Sequence, residues 1–155
     1  MKYYITLFCS LLIPVSLLAA ALLFRDRELR PEERIVGRWD EVSWTYAKAD
    51  NKGAVQFGKE PLTESVKHLI SQSKIIHKAE QWDFRPGALL DLHTADKDVH
   101  LDWSILGNGN VLRIRYNNDY EETYQLVELN DKRMVLHFES EQLTRGIVRI
   151  TFARI

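Results

Sequence analysis

Residues 88–116 read ALLDLHTADKDVHLDWSILGNGNVLRIRY. Three runs of alternating apolar and polar residues are separated here by two turn signals. Asn108-Gly109 marks a two-residue hairpin turn, because a primed turn needs positive φ at both central positions. Centring a hairpin there pairs Ile105 with Leu112, Trp103 with Ile114 and Leu101 with Tyr116. The same register sets Ser104 opposite Arg113 and Asp102 opposite Arg115. Centring the preceding hairpin on Asp96-Lys97 pairs Thr94 with Val99, Leu92 with Leu101 and Leu90 with Trp103. Asp91 then faces Asp102, and His93 faces His100. Both registers assign the same residues to the same face. Three neighbouring strands thus share one apolar side and one polar side, as an antiparallel meander with one buried face requires.

The pattern extends outward from this meander. A long first strand is expected over 35–46. Residues 47–61 hold Asp50, Asn51, Gly53, Gly58 and Pro61 and read as loop. Leu62, Val66, Leu69, Ile70 and Ile76 recur at helical spacing, which predicts a helix over 62–78 with Thr63 as N-cap. The remaining strands are expected over 81–85, 88–94, 99–106, 111–116, 120–129, 133–139 and 147–154, with Pro86-Gly87, Asn117-Asn118-Asp119, Asn130-Asp131 and Gly146 between them. Eight antiparallel strands joined by short turns must hide two edges, and closure into a barrel removes both. The expected fold is all-β: an eight-stranded up-and-down antiparallel barrel with one helix between strands 1 and 2, plus an N-terminal transmembrane helix.

That N-terminal helix is read from residues 3–24, YYITLFCSLLIPVSLLAAALLF, which carry no charge. About 20 apolar residues suffice to cross the hydrocarbon core. Ala19-Ala20-Ala21 could form a signal-cleavage site, but Leu22, Leu23 and Phe24 prolong the apolar run beyond the usual signal length. The expected organisation is an anchor at 1–24, or an uncleaved signal. A charged juxtamembrane linker follows at 25–34 and a barrel at 35–155. Counting Lys and Arg around the span favours a cytoplasmic barrel. Asp26, Glu28, Glu32 and Glu33 offset those arginines. The reading adopted is a single-pass membrane protein with an extracytoplasmic, periplasmic domain. Cys9 is the one cysteine and lies inside the span, so no disulfide framework and no cysteine-rich zinc site can form. A net charge of -1 gives no reason to expect a nucleic-acid partner.

Gly37-Arg38-Trp39, at the start of the first strand and preceded by a possible helical turn at Arg30-Pro31-Glu32-Glu33, resembles the lipocalin-like domains of the calycin superfamily, in their bacterial membrane-anchored form. The resemblance implies that Trp39 packs across the barrel floor beneath an arginine from near the chain end. Arg154 is the best match and Arg149 the second. Gly37, Trp39 and Arg154 are therefore expected to close the barrel. A helix between strands 1 and 2 is closer to the fatty-acid-binding branch. The Arg-x-Tyr of that branch is replaced here by Arg149-Ile150-Thr151, and a fatty-acid site of that type is not expected.

Trp39, Trp44, Trp82, Phe84, Trp103, Tyr116, Tyr124, Phe138 and Phe152 are interior candidates. Of the interior, Trp82, Phe84, Leu92, Trp103, Tyr116 and Tyr124 are the expected ligand-lining residues. The sequence leaves open whether aromatics fill the core or surround a cavity. Glu122 and Glu128 alternate with Tyr124 and Leu126, so one of them is a candidate to point inward. His93 and His100, with Asp91 and Asp102, would form the only metal-like constellation, against the simpler reading of a charge ladder completed by Arg113 and Arg115. No metal and no cofactor are expected. Ser140 and Thr144 fall in an expected loop with no nucleophile signature, and no enzyme is expected. The functional expectation is a non-enzymatic binding module held at the lipid bilayer for a small apolar ligand or a membrane protein partner. The alternative is an accessory subunit of a membrane assembly with a filled barrel, its outward Val127, Val135 and Leu129 serving as a contact patch.

Overall fold

The computed structural model describes residues 29–49, 55–58, 60–72, 74, 79–94, 97–117, 120–140 and 146–155. A short helix α1 (Pro31–Arg34) leads into strand β1 (Gly37–Ala49), then β2 (Val55–Phe57) and helix α2 (Glu64–Ser71). Seven strands follow: β3 (Ala79–Arg85), β4 (Leu89–Thr94), β5 (Asp98–Leu106), β6 (Val111–Tyr116), β7 (Tyr120–Leu129), β8 (Arg133–Ser140) and β9 (Gly146–Arg154). All neighbours pair antiparallel in the order β2-β1-β3-β4-β5-β6-β7-β8-β9, and β9 returns to pair with β1. Eight strands thus close into a barrel, with α2 connecting its first two strands.

β2 was not expected. Its three residues pair with Ala47, Lys48 and Ala49, at the end of β1 where β3 is no longer alongside. β1 meets β3 only from Gly37 to Asp40. Beyond that point the loop before α2 takes over the free edge of β1, as the Leu62 N–H donates to Trp44 O at 2.7 Å. Lys67 then ties α2 to β1 through Glu41 at 2.7 Å. The helix ends at Ser71, shorter than the expected 62–78, of which 73 and 75–78 lie outside the described residues. It buries Ile70 and half-buries Val66, with Leu62 of the preceding loop also half-buried, while Leu69 faces solvent.

The β5–β6 register is the one the turn chemistry demands, with Ile105 opposite Leu112 and Asp102 opposite Arg115. Asn108 and Gly109 both hold positive φ, at 57° and 96°. The β4–β5 register corrects the expectation by two residues: Asp91 faces His100, His93 faces Asp98, and Leu92 faces Val99. A slip of two keeps every side chain on its face, because the side-chain period is two. It also replaces a carboxylate–carboxylate and an imidazole–imidazole pair by two carboxylate–imidazole pairs, the favourable arrangement for directly opposed residues. The Thr94 hydroxyl fixes the turn by accepting from Lys97 N–H at 3.1 Å and donating to Lys97 O at 2.5 Å.

One end of the barrel, its floor, is crossed by α1 and bears the β3–β4, β5–β6 and β7–β8 turns. The opposite end, its mouth, bears α2 and the β4–β5 and β6–β7 turns. Ile35, Trp39, Trp82, Phe84, Leu90, Leu92, Leu112, Ile114, Met134, Leu136, Ile150 and Phe152 are sealed from solvent inside. Among the described residues no helix is long and apolar enough to cross a membrane, and the expected span at 3–24 lies outside them.

Candidate ligand-binding site

The floor is closed by α1, Trp39 and, from the far end of the chain, Arg154. Pro31 opens α1, and the Glu33 carboxylate accepts from the Arg30 backbone N–H at 3.3 Å. This turn presents its carbonyls to the barrel. The Trp39 indole N–H donates to Ile35 O at 2.8 Å. The Arg154 guanidinium lies 4.5 Å from the Trp39 ring centre, donates to Val36 O at 3.1 Å, and donates to Arg34 O. Gly37 makes room for it: at φ 135°, a Cβ there would stand 3.1 Å from Arg154 Nη1. Gly37, Trp39 and Arg154 thus form one contact unit. Arg149, the second candidate, lies on the outer face with its guanidinium 3.6 Å above the Phe57 ring.

Above the floor the interior is packed aromatic on aromatic. Trp82 meets Phe152 at 4.9 Å and Phe84 at 6.1 Å, and Phe84 meets Trp103 edge-on at 5.5 Å. Trp82, Phe84, Leu92, Trp103 and Tyr124 are all buried. Tyr116 is not enclosed: it ends β6 opposite Tyr120 and is 43% exposed, because the strand runs out at the rim.

Toward the mouth the interior becomes polar. Alternation along β7 sends Glu122 and Tyr124 inward. Glu122 is only 3% exposed. Its carboxylate accepts from the Tyr124 hydroxyl at 2.5 Å and from the Tyr120 hydroxyl at 3.2 Å. Burial, reinforced by the Glu122 charge, pushes the Tyr124 hydroxyl well above its ordinary pKa. Glu128 instead turns outward past a β-bulge and pairs with Arg133 at 3.4 Å. Next to the Tyr124–Glu122 pair, the Phe138 ring takes Tyr124 edge-on at 5.8 Å and, on another side, Trp44 edge-on at 5.7 Å. Three buried donors in this interior have no hydrogen-bond partner among the described residues: Trp44 Nε1, Trp82 Nε1 and Ser140 Oγ. Each such orphan costs roughly 1–3 kcal/mol, which a bound molecule supplying acceptors would recover. Ser140, expected in a loop, is the buried last residue of β8.

The wall beside this site lacks strand pairing. β7 and β8 pair only as far as Gln125 and His137, although β7 begins at Tyr120 and β8 runs to Ser140. Before the break β7 pairs with β6 alone, and beyond it β8 pairs with β9 alone. A cleft of about 390 Å³ lies on the outer side of this gap, lined by Lys74, Thr123, Gln125, His137, Glu139 and Ile147, with Phe138 the one inward-facing side chain that it reaches. That volume lies within the usual range for small-molecule sites. Lys74 Nζ sits 5.7 Å from the centre of the Phe138 ring. His137 accepts from Arg149 Nε at 3.2 Å, and burial, then the Arg149 charge, lowers its pKa. Lys74 and Ser140 were not anticipated as site residues. The period-two run Tyr120-Glu122-Tyr124-Leu126 was the legible signal for the rest.

The metal-like constellation divides into two carboxylate–imidazole pairs on neighbouring positions of β4 and β5. His100 Nδ1 bonds Asp91 at 2.6 Å and His93 Nδ1 bonds Asp98 at 2.9 Å. Asp91 also pairs with Arg85. No group of three or more metal-ligating side chains occurs among the described residues. The outward patch does not form either: Val127 is exposed, but the β-bulge between Leu126 and Glu128 leaves Val135 buried and Leu129 packed against the core.

No protein-family model matches the chain, and no curated protein matches it. Among solved structures it is similar to a lipocalin-like protein from Bacteroides uniformis, at 13% identity and a TM-score of 0.42, over 79% of this chain and 99% of that one. It is also similar to bovine odorant-binding protein in complex with a selenium-containing odorant, at 12% identity and a TM-score of 0.45, over 84% and 76% of the two chains. The same bovine protein in complex with undecanal gives 11% identity and a TM-score of 0.44, over 84% and 75%.

Proposed function

We propose that the chain is a membrane-anchored, non-enzymatic, lipocalin-like binding module that holds a small amphipathic molecule in the mouth half of its barrel. The observation that carries this reading is the buried polar group inside an aromatic wall. Glu122 is an acceptor, and Trp44 Nε1 and Ser140 Oγ are donors without partners among the described residues. Such a site suits a molecule with an apolar body and one polar end, the body lying against Phe138 and Trp44. The slot between β7 and β8 provides its route. The floor half, already filled, contributes rigidity rather than contact, and Gly37, Trp39 and Arg154 keep it shut.

The barrel of residues 29–155 is to be titrated with 1-aminoanthracene, a fluorescent probe with an apolar body and one amine. Saturable enhancement that weakens at least about tenfold in Glu122→Gln supports the reading, since losing a charge-assisted contact is worth roughly 1.5–3 kcal/mol. Enhancement that is equal in wild type and variant removes Glu122 from the site.

The close packing of Trp82, Phe84 and Phe152 favours a second reading, an accessory subunit with a filled barrel. Full-length protein in detergent that runs only as a monomer counts against it.

A further inference from the structure

Leu29 and Arg30 lead directly into α1, which is part of the barrel floor. α1 reaches each floor turn. A Cβ on Gly109 would stand 2.8 Å from Pro31 Cγ. Arg34 Nη1 donates to Leu129 O at 3.4 Å, and Glu32 and Val36 line a cleft with Pro86, Gly87 and Ala88. The entry point of the N-terminal segment is therefore fixed at this end of the barrel.

The apolar run ends at Phe24, five residues before Leu29. An extended chain covers at most about 3.3–3.6 Å per residue, so this link spans no more than roughly 18 Å. A barrel tethered this closely cannot present its mouth to the bilayer that the segment enters, because the floor is on the short leash. The floor end is also where exposed apolar side chains gather: Leu29, Leu89, Leu106, Val127 and Ile155 all lie there. Arg30, Arg85 and Arg133 stand among them with most of their side chains in solvent. Glu32, Glu33, Glu128 and Asp131 lie at the same end, so it has no excess of positive charge; the mouth exposes Leu69, Tyr116 and Tyr120, and the larger number of aliphatic side chains set among arginines distinguishes the floor.

We propose that the floor of the barrel docks against the surface of the lipid bilayer. Leu29, Leu89, Leu106 and Ile155 enter the interface, and Arg30, Arg85 and Arg133 face lipid phosphates. This inference rests on the anchor reading of residues 3–24. It directs the mouth and the β7–β8 slot away from the membrane, so the ligand exchanges with the aqueous phase and not with the lipid beneath. Interfacial leucines beside arginines are the chemistry that binds membrane surfaces.

The test uses the full chain with Cys9→Ser, reconstituted in phosphatidylcholine vesicles containing phosphatidylglycerol and a headgroup-proximal nitroxide lipid. A fluorophore is attached through Leu106→Cys on the floor or Lys97→Cys at the mouth, both exposed positions. Several-fold stronger quenching at position 106 than at 97 supports floor docking. Equal quenching, or stronger quenching at 97, overturns it. Flotation of the same vesicles after an alkaline wash separates the two ideas. Protein that floats yet shows equal quenching is anchored but not docked by its floor. Protein that is washed off overturns the anchor reading and this inference together.

Discussion

Replacing Arg154 by alanine tests whether the floor is a closure or a mere end of the sheet. The guanidinium makes three contacts that alanine removes: the Trp39 ring face at 4.5 Å, Val36 O at 3.1 Å, and Arg34 O. A partly desolvated cation–π contact is worth about 1–2 kcal/mol. Hydrogen bonds from a charged donor are worth roughly 1.5–3 kcal/mol each. These do not add, and water can reach a half-buried carbonyl once the side chain is gone. The expected loss is therefore about 2–4 kcal/mol rather than the sum. For a domain of this size that corresponds to a fall in Tm of roughly 6–16 °C. Arg154→Lys keeps the charge but loses the fork, and recovers less than half of the loss. The assay is urea denaturation of residues 29–155 followed by tryptophan fluorescence, in which Trp39 itself reports. A stability of Arg154→Ala within about 0.5 kcal/mol of wild type refutes the closure argument, since that is the scatter of ordinary surface substitutions.

Asp91 is held below its ordinary carboxyl pKa, chiefly by the hydrogen bond from His100 and also by the Arg85 charge, against the opposing effect of burial. A depressed folded pKa contributes stability above the unfolded value of about 3.8 and loses it as pH falls through the folded value. Asp91→Asn is expected to flatten the acid limb of the stability–pH curve below about pH 4, and identical acid limbs contradict the assignment. The Tyr124 hydroxyl, raised by burial and then by Glu122, acts in the opposite direction. Its contribution is intact below pH 10.0 and declines above it, as the unfolded state ionises first. Glu122→Gln should soften this alkaline decline, read by ultraviolet titration of tyrosinate; an unchanged titration contradicts the coupling. Gly109→Ala combines a φ of 96° with a Cβ 2.8 Å from Pro31, and should cost about 1–3 kcal/mol in thermal unfolding, partly restored by Pro31→Ala. Restoration by Pro31→Ala should be absent if α1 does not rest on this turn.

The barrel was legible because its signals are local. Asn108-Gly109 dictates positive φ at two adjacent residues and so fixes a register, and period-two alternation in 120–129 and 147–154 assigns each inward face. The adjacent hairpin was misplaced by two residues because Asp96-Lys97 demands no special backbone geometry. Cross-strand charge decides there, and it is a property of the pair rather than of the turn. The closing contact between Trp39 and Arg154 was reached through resemblance, not pattern, since nothing local links residues so far apart in sequence. β2 escaped notice because three residues are too few to show a period. The slot beside Glu122 was invisible for a different reason: β7 and β8 both read as full strands, and nothing in either announces that their pairing stops at Gln125 and His137. The inward carboxylate was narrowed to Glu122 or Glu128, and the β-bulge between Leu126 and Glu128, which decides the matter, leaves no mark in the sequence.

Native mass spectrometry of residues 29–155, purified without detergent and incubated with a lipid extract, bears most directly on the claim that the mouth half of the barrel is a ligand site. The expected result is a stoichiometric adduct of one small amphipathic compound that departs on denaturation and is lost from Glu122→Gln. A bare protein mass in every incubation, from a barrel shown to be folded by its tryptophan emission, contradicts it.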